Sequence, residues 1–156
     1  MVQRYNILGR YTNQYLCLCS HAWSVEVSHG KIRVRRFIPL QGFNRTKLQK
    51  LFGKAKLYID FGHFPGKDRL PREAVINGCC IITGKLGASY FYEDVPIGNA
   101  YKFDCIKSNL QIIVDKIKYV LSNYDLCKGD FDDYRSKVLR EQDIFYSEID
   151  DLFCNL

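Results

Sequence analysis

The apolar positions of this chain fall into short unbroken runs more often than into long alternations. Lys56-Leu57-Tyr58-Ile59-Asp60-Phe61 is one such run, closed by Gly62, and Cys79 to Thr83 is another, closed by Gly84. Runs of this length between glycines are the pattern of strands buried on both faces. Lys31 to Leu40 alternates instead and reads as a strand with Ile32, Val34 and Phe37-Ile38 inward. Two further short strands are expected, one ending near Tyr5-Asn6 and one near Tyr101–Phe103. Between them the spacing changes to that of helices. Tyr11 to Ser20 reads as a helix, and residues 21–30 as an irregular connection. Asn44 or Thr46 caps a short helix carrying Leu48, Leu51 and Phe52. Pro71 suits the first turn of a helix bearing Ala74, Val75 and Ile76, stopped by Asn77-Gly78. Ile112, Ile113, Ile117, Val120 and Leu121 recur at helical spacing, and after a break at Lys128-Gly129 a charged amphipathic helix runs from Phe131 to Phe153.

Non-alternating strands separated by helices predict an α/β domain. Its sheet is parallel with helices on both faces, and long helices end the chain. In such sheets ligands bind beyond the C-terminal strand ends. That rule directs attention to two loops, 62–71 and 83–90. No internal repeat or low-complexity linker divides the 156 residues, so they are expected to form a single domain.

Composition narrows the classes. Hydrophobic residues at 47% and charged residues at 26% are ordinary for a globular protein, and no run suits a membrane span. Residues 1–6 lack the apolar core of a secretory signal. Seven cysteines without a C-x-x-C and only three histidines do not fit a zinc site, so no metal is expected. Cysteines within apolar runs read as small buried hydrophobes in a reducing compartment, which argues for the cytoplasm. The net charge of +6 calls for an anionic partner without choosing among nucleic acid, membrane surface and phosphorylated small molecule.

The choice comes from residues 58–74. A strand runs into a loop bearing Gly62, Gly66, Lys67 and Arg69, and the loop enters a helix. Glycines let a backbone approach a ligand closely, and a helix N-terminus offers unpaired N–H groups with a favourable dipole. These are the ingredients of a phosphate or diphosphate site, although the spacing fits neither a Walker A loop nor G-x-G-x-x-G.

The order strand, glycine loop, Glu-Ala helix, Gly-Cys and apolar strand resembles the donor-binding, C-terminal half of retaining glycosyltransferases of the glycosyltransferase-B fold. In that family an E-G-F-G-like loop precedes an L-E-A-x-A-x-G helix and a P-V-V strand. Gly66 falls on the loop glycine, Glu73-Ala74 on the Glu-Ala pair, Gly78 on the glycine before the strand, and Cys80-Ile81-Ile82 on the strand. Pro65 stands where the family has its first glutamate, so that carboxylate's role passes to Asp68 or is absent. The string P-G-K-D-R-L-P-R-E-A is also similar to a bacterial glycosyltransferase-like subgroup, whose G-S-A loop and D-V-P-I match Gly87-Ala88-Ser89 and Asp94-Val95-Pro96-Ile97. The resemblance covers residues 37–153 and leaves 1–36 poorly matched, as a truncated remnant would be.

The resemblance implies a Rossmann-like domain whose donor substrate is a nucleotide-sugar, with no separate cofactor. Glu73 would accept hydrogen bonds from the donor ribose, and Gly66, Lys67, Arg69 and Ser89 would contact the diphosphate or sugar. It further implies that an acceptor-binding domain or chain completes the transfer, in polysaccharide assembly. His63 reads as an ordinary loop histidine or as a candidate for a catalytic base. Asp60 either caps its loop or faces the cleft. Arg72 is expected to pair with an acidic neighbour, and Glu93 and Asp94 lie on a surface turn or bind sugar hydroxyls. The alternative function is a non-catalytic binding or interaction module. It would use the basic cluster Lys31, Arg33, Arg35 and Arg36 on nucleic acid or protein, although that cluster reads better as a solvated strand edge and nucleic acid is not the expected partner.

Overall fold

The computed structural model describes residues 17–19, 37–40, 42–104 and 109–153. They form a mixed α/β arrangement around a parallel sheet. Strands β1 (Cys17–Cys19), β2 (Phe37–Pro39), β3 (Leu57–Asp60), β4 (Cys80–Gly84) and β5 (Lys102–Phe103) lie in the order β2-β1-β3-β4-β5, each parallel to its neighbours. Every residue of β3 and β4 is buried, as their unbroken apolar runs predict. The expected strand near Tyr5-Asn6, residues 31–36 of the alternating strand with their basic cluster, and the connection 21–30 lie outside the described residues.

The expected helix over 11–20 is corrected: Cys17–Cys19 is a strand, paired with β2 on one side and β3 on the other. A short apolar stretch fits both periods, and here the ladder on its two edges satisfies the backbone in a way that an isolated turn of helix would not.

Helix α1 (Arg45–Phe52) begins at Asn44, whose side chain accepts the Lys47 N–H at 3.0 Å, and it buries Leu48 and Phe52. Helix α2 (Arg69–Ile76) buries Pro71, Ala74 and Val75 and ends at Asn77-Gly78, where Gly78 takes a φ of 89°. These two helices join strands that advance in the same direction across the sheet. Right-handed crossovers therefore place them on one face, consistent with their direct packing. Helix α3 (Leu110–Ser122) buries Ile113, Ile117, Val120 and Leu121, while Ile112 points outward. The short α4 (Tyr124–Cys127) and a 3-10 turn (Lys128–Phe131) deliver the chain to α5 (Asp132–Phe153).

The first half of α5 packs on α2, where Arg135 Nε donates to the Val75 carbonyl at 3.0 Å, and Tyr134 and Val138 join the core. Cys79, Cys80 and Cys127 are buried free thiols, as their apolar context predicts. Burial pushes the Cys79 and Cys80 thiols up to about 12. No described helix is long and apolar enough to cross a membrane.

Arg72 and Glu141 fasten α2 to α5 by a two-pronged ion pair, Nη1 to Oε1 at 2.8 Å and Nη2 to Oε2. The Arg72 hydrogen bond holds the Glu141 carboxyl below its ordinary value of 4.5. A carboxyl depressed in the fold adds stability that is complete above its unfolded value and is lost as pH falls through the folded one. Glu141→Gln is therefore expected to cost about 2 kcal/mol at neutral pH, with the difference from the parent closing as pH falls below Glu141's own folded value. Urea midpoints measured across that range check it, and a difference independent of pH would show that the charge of Glu141 contributes nothing.

Candidate functional site

In a parallel sheet of this order the chain reverses direction between β1 and β3, and loops at the C-terminal ends beside that point are where ligands settle. The loop 61–68 leaves β3 there. Asp60 shapes its start: Oδ1 accepts the Gly62 N–H at 2.8 Å and Oδ2 accepts the Tyr58 hydroxyl at 2.6 Å. This carboxylate caps the turn, the first of its two expected roles.

The loop is then joined to the one that leaves β4. Phe64 N–H donates to the Leu86 carbonyl at 3.1 Å, and Ala88 N–H donates to the Phe64 carbonyl at 2.8 Å, forming a parallel bridge between Phe64 and Gly87. Ser89 is fully buried beneath it. Its hydroxyl lies 2.9 Å from both the Gly84 and Leu86 carbonyls and accepts the Leu86 N–H at 3.1 Å. The expectation that Ser89 faces a ligand is thus corrected: its hydrogen-bonding capacity is used in fixing the loop.

At the far end of loop 61–68 the chain enters α2. Asp68 occupies the N-cap position, yet its side chain makes no capping bond, and no acid lies in the first turn. The carboxyl of Asp68 stands near Asp60 and His63. Burial first, then repulsion from Asp60, raises its pKa, and His63 lowers it. The α2 N-terminus keeps its dipole without a carboxylate capping it. Lys67 and Arg69 are exposed beside it, as the sequence predicts, and Gly66 has open space where a side chain would project.

Glu73 is the fifth residue of α2, one turn later than a first-turn glutamate. Its Oε1 lies 3.2 Å from Arg69 Nε, while Oε2 is buried without a partner among the described residues. Such an orphaned acceptor is costly, because its lost hydration is not replaced. Arg72 is absorbed by Glu141, as expected of it. His63 is exposed, next to Asp68 and Gly87.

Sequence reasoning missed a polar row across this edge of the sheet. Asp60 is in register with Thr83, and Thr83 with Lys102, so the three side chains share one face. All three are buried, and Thr83 Oγ1 has no partner among the described residues. Lys102 Nζ donates to the Phe91 carbonyl at 3.0 Å, and burial lowers its pKa while Glu93 and Asp94 raise it. The available signal was a polar residue at or next to the end of each strand. Only Asp60 was read that way, because a lysine in a two-residue strand resembles any surface lysine. Lys137 of α5 also reaches this region, donating to the Glu93 carbonyl at 2.8 Å.

Loop 61–68 and the start of α2 thus carry Gly66, Lys67, Arg69 and Glu73 close together in the chain, with His63 exposed on the same loop and Ser89 buried. Helix N–H groups and the exposed cations Lys67 and Arg69, the latter also paired with Glu73, can hold a dianionic group, and a carboxylate can accept from a hydroxyl. No described group of three or more His, Cys, Asp or Glu side chains is placed to hold a metal. Comparison with known proteins adds no identification: no family model, curated protein or solved structure matches the chain.

Proposed function

We propose that this chain is a Rossmann-like domain with helices on both faces that binds a nucleotide-diphospho-sugar, as the donor-binding part of a glycosyltransferase-like protein. The observation that carries the reading is the α2 N-terminus. It has no capping carboxylate, it lies at the strand-end edge where the chain reverses, and exposed Lys67 and Arg69 flank it. In this reading the loop amides near Gly66, with Lys67 and Arg69, hold the diphosphate. Glu73 accepts hydrogen bonds from the ribose, its Oε2 having no partner among the described residues. Donors fixed on the departing diphosphate stabilise the charge that develops as the sugar leaves. Transfer itself requires an acceptor-binding domain or chain.

A thermal-shift titration with UDP, GDP, ADP, CMP and their common sugar conjugates tests this. Ligand at about 100 times its Kd stabilises the native state by about 2.7 kcal/mol, a rise of a few degrees in Tm. The expected result is a shift selective for one base that Arg69→Ala and Glu73→Ala both abolish. Glu73→Ala itself is expected to melt within about 1 kcal/mol of the parent, because losing a buried oxygen without a partner offsets the loss of an ion pair whose arginine is exposed. No shift with any nucleotide, in a folded protein, overturns the reading.

One observation favours the alternative of a binding module. The exposed side of α1 carries Arg45, Lys47 and Lys50, followed by Lys54, with no acid among residues 41–59. Retention on an anionic oligonucleotide that falls steeply with salt and is lost in Lys47→Glu/Lys50→Glu would support that module instead.

A further inference from the structure

The turn that leaves the Ser89 anchor exposes three consecutive aromatic rings. Tyr90, Phe91 and Tyr92 are 62%, 55% and 57% exposed, and the rings of Tyr90 and Phe91 meet edge to face at 5.4 Å. Their backbone is fastened. The Phe91 carbonyl takes Lys102 Nζ at 3.0 Å and the Val95 N–H at 3.2 Å, the Glu93 carbonyl takes Lys137 Nζ at 2.8 Å, and Val95 and Ile97 are buried beneath. Rigid aromatic rings held out in water are costly to solvation and lose little entropy on binding, which is the design of a recognition surface.

We infer that Tyr90, Phe91 and Tyr92, with the neighbouring Glu93 and Asp94, form a surface for a neutral saccharide. Charge selects the ligand class. Glu93 and Asp94 form no ion pair among the described residues, and the ammonium groups of Lys102 and Lys137 lie on backbone carbonyls. Two carboxylates and two ammonium groups leave the surface beside the rings without net charge, so neither a phosphate backbone nor a polycation meets a complementary field there. A sugar ring satisfies both limits: its C–H face lies on an aromatic ring, and its hydroxyls donate to carboxylates. The loop is bridged to loop 61–68 at Phe64 and Gly87, so a saccharide here would stand beside the proposed donor site. Its role as acceptor rests on the donor reading, whereas its binding does not.

The test is an amide NMR titration of the full chain with maltohexaose, cellohexaose and chitohexaose. Saturable shifts centred on residues 86–99 are expected for at least one of them, weakened about tenfold by Tyr90→Ala and again by Tyr92→Ala. Both rings are exposed, so the variants are expected to melt with the parent and to retain any nucleotide-induced shift. Three results would overturn the inference: no saturable change with any of the three sugars, undiminished binding in the double variant, or shifts of this loop caused only by phosphatidylglycerol vesicles or polylysine. A nucleotide response without a saccharide response would leave the donor reading standing and remove this one, and the reverse result would do the opposite.

Discussion

Gly87→Ala is expected to cost about 4 kcal/mol and to lower Tm by about 10 °C. Gly87 has φ 69° and ψ −140°, a region that residues with a Cβ rarely enter. An alanine Cβ there would lie 2.1 Å from the Phe64 carbonyl oxygen and 3.0 Å from His63 Nε2. The carbonyl cannot simply withdraw, because it accepts the Ala88 N–H that closes the bridge between the two loops. Alanine therefore either unmakes the bridge or strains the backbone, and both loops at the sheet edge shift. Thermal melts measure the cost, and faster hydrogen exchange of the Phe64 and Ala88 amides locates it. Gly66→Ala is the control. Nothing lies within 4 Å of its Cβ position and its φ is not in the left-handed region, so the cost should stay below about 1 kcal/mol. A parent-like melt for Gly87→Ala would show that the bridge does not hold the loops.

Phe131→Ala is expected to cost about 3–5 kcal/mol. The ring is fully buried, tilted onto Tyr101 with centroids 4.8 Å apart. Tyr101 is held in turn by its hydroxyl on Asp130 and by the Lys116 ammonium 3.8 Å from its ring centre. Burial, then the Asp130 hydrogen bond, raises the Tyr101 pKa, so its hydroxyl stays protonated. Truncating Phe131 opens a cavity where the chain turns into α5. The consequence extends to the site, since α5 carries Glu141 to Arg72 and Lys137 to Glu93. Urea unfolding gives the magnitude. The Glu141 carboxyl in the same variant should titrate closer to its ordinary value if α5 has shifted. A loss below about 1 kcal/mol would mean that the surroundings collapse onto the vacated volume.

Much of the middle of the chain was legible because local signals and tertiary packing agree there. The runs at 57–60 and 80–84 are buried on both faces, Asn44 caps α1, and Pro71 and Asn77-Gly78 bound α2. Arg72 found the acidic partner expected for a half-buried arginine. Ile112 did not follow its helix inward, because periodicity marks a wide stripe and packing chooses which edge of it is covered.

The sequence by itself determined the α/β class, the strands β3 and β4, the helices α1 and α2, and a basic glycine loop entering a helix N-terminus. Each is encoded within about ten neighbouring residues, where periodicity, capping and turn chemistry act. Only the tertiary structure decided that Cys17–Cys19 is a strand, that Ser89 is an internal fastener, that Glu73 keeps one buried oxygen without a partner, and that Asp60, Thr83 and Lys102 form a row. Those outcomes depend on which backbone carbonyl, strand edge or distant helix arrives beside a side chain. Residues far apart in the chain supply those neighbours, and burial then fixes whether a polar atom is satisfied or left without a partner.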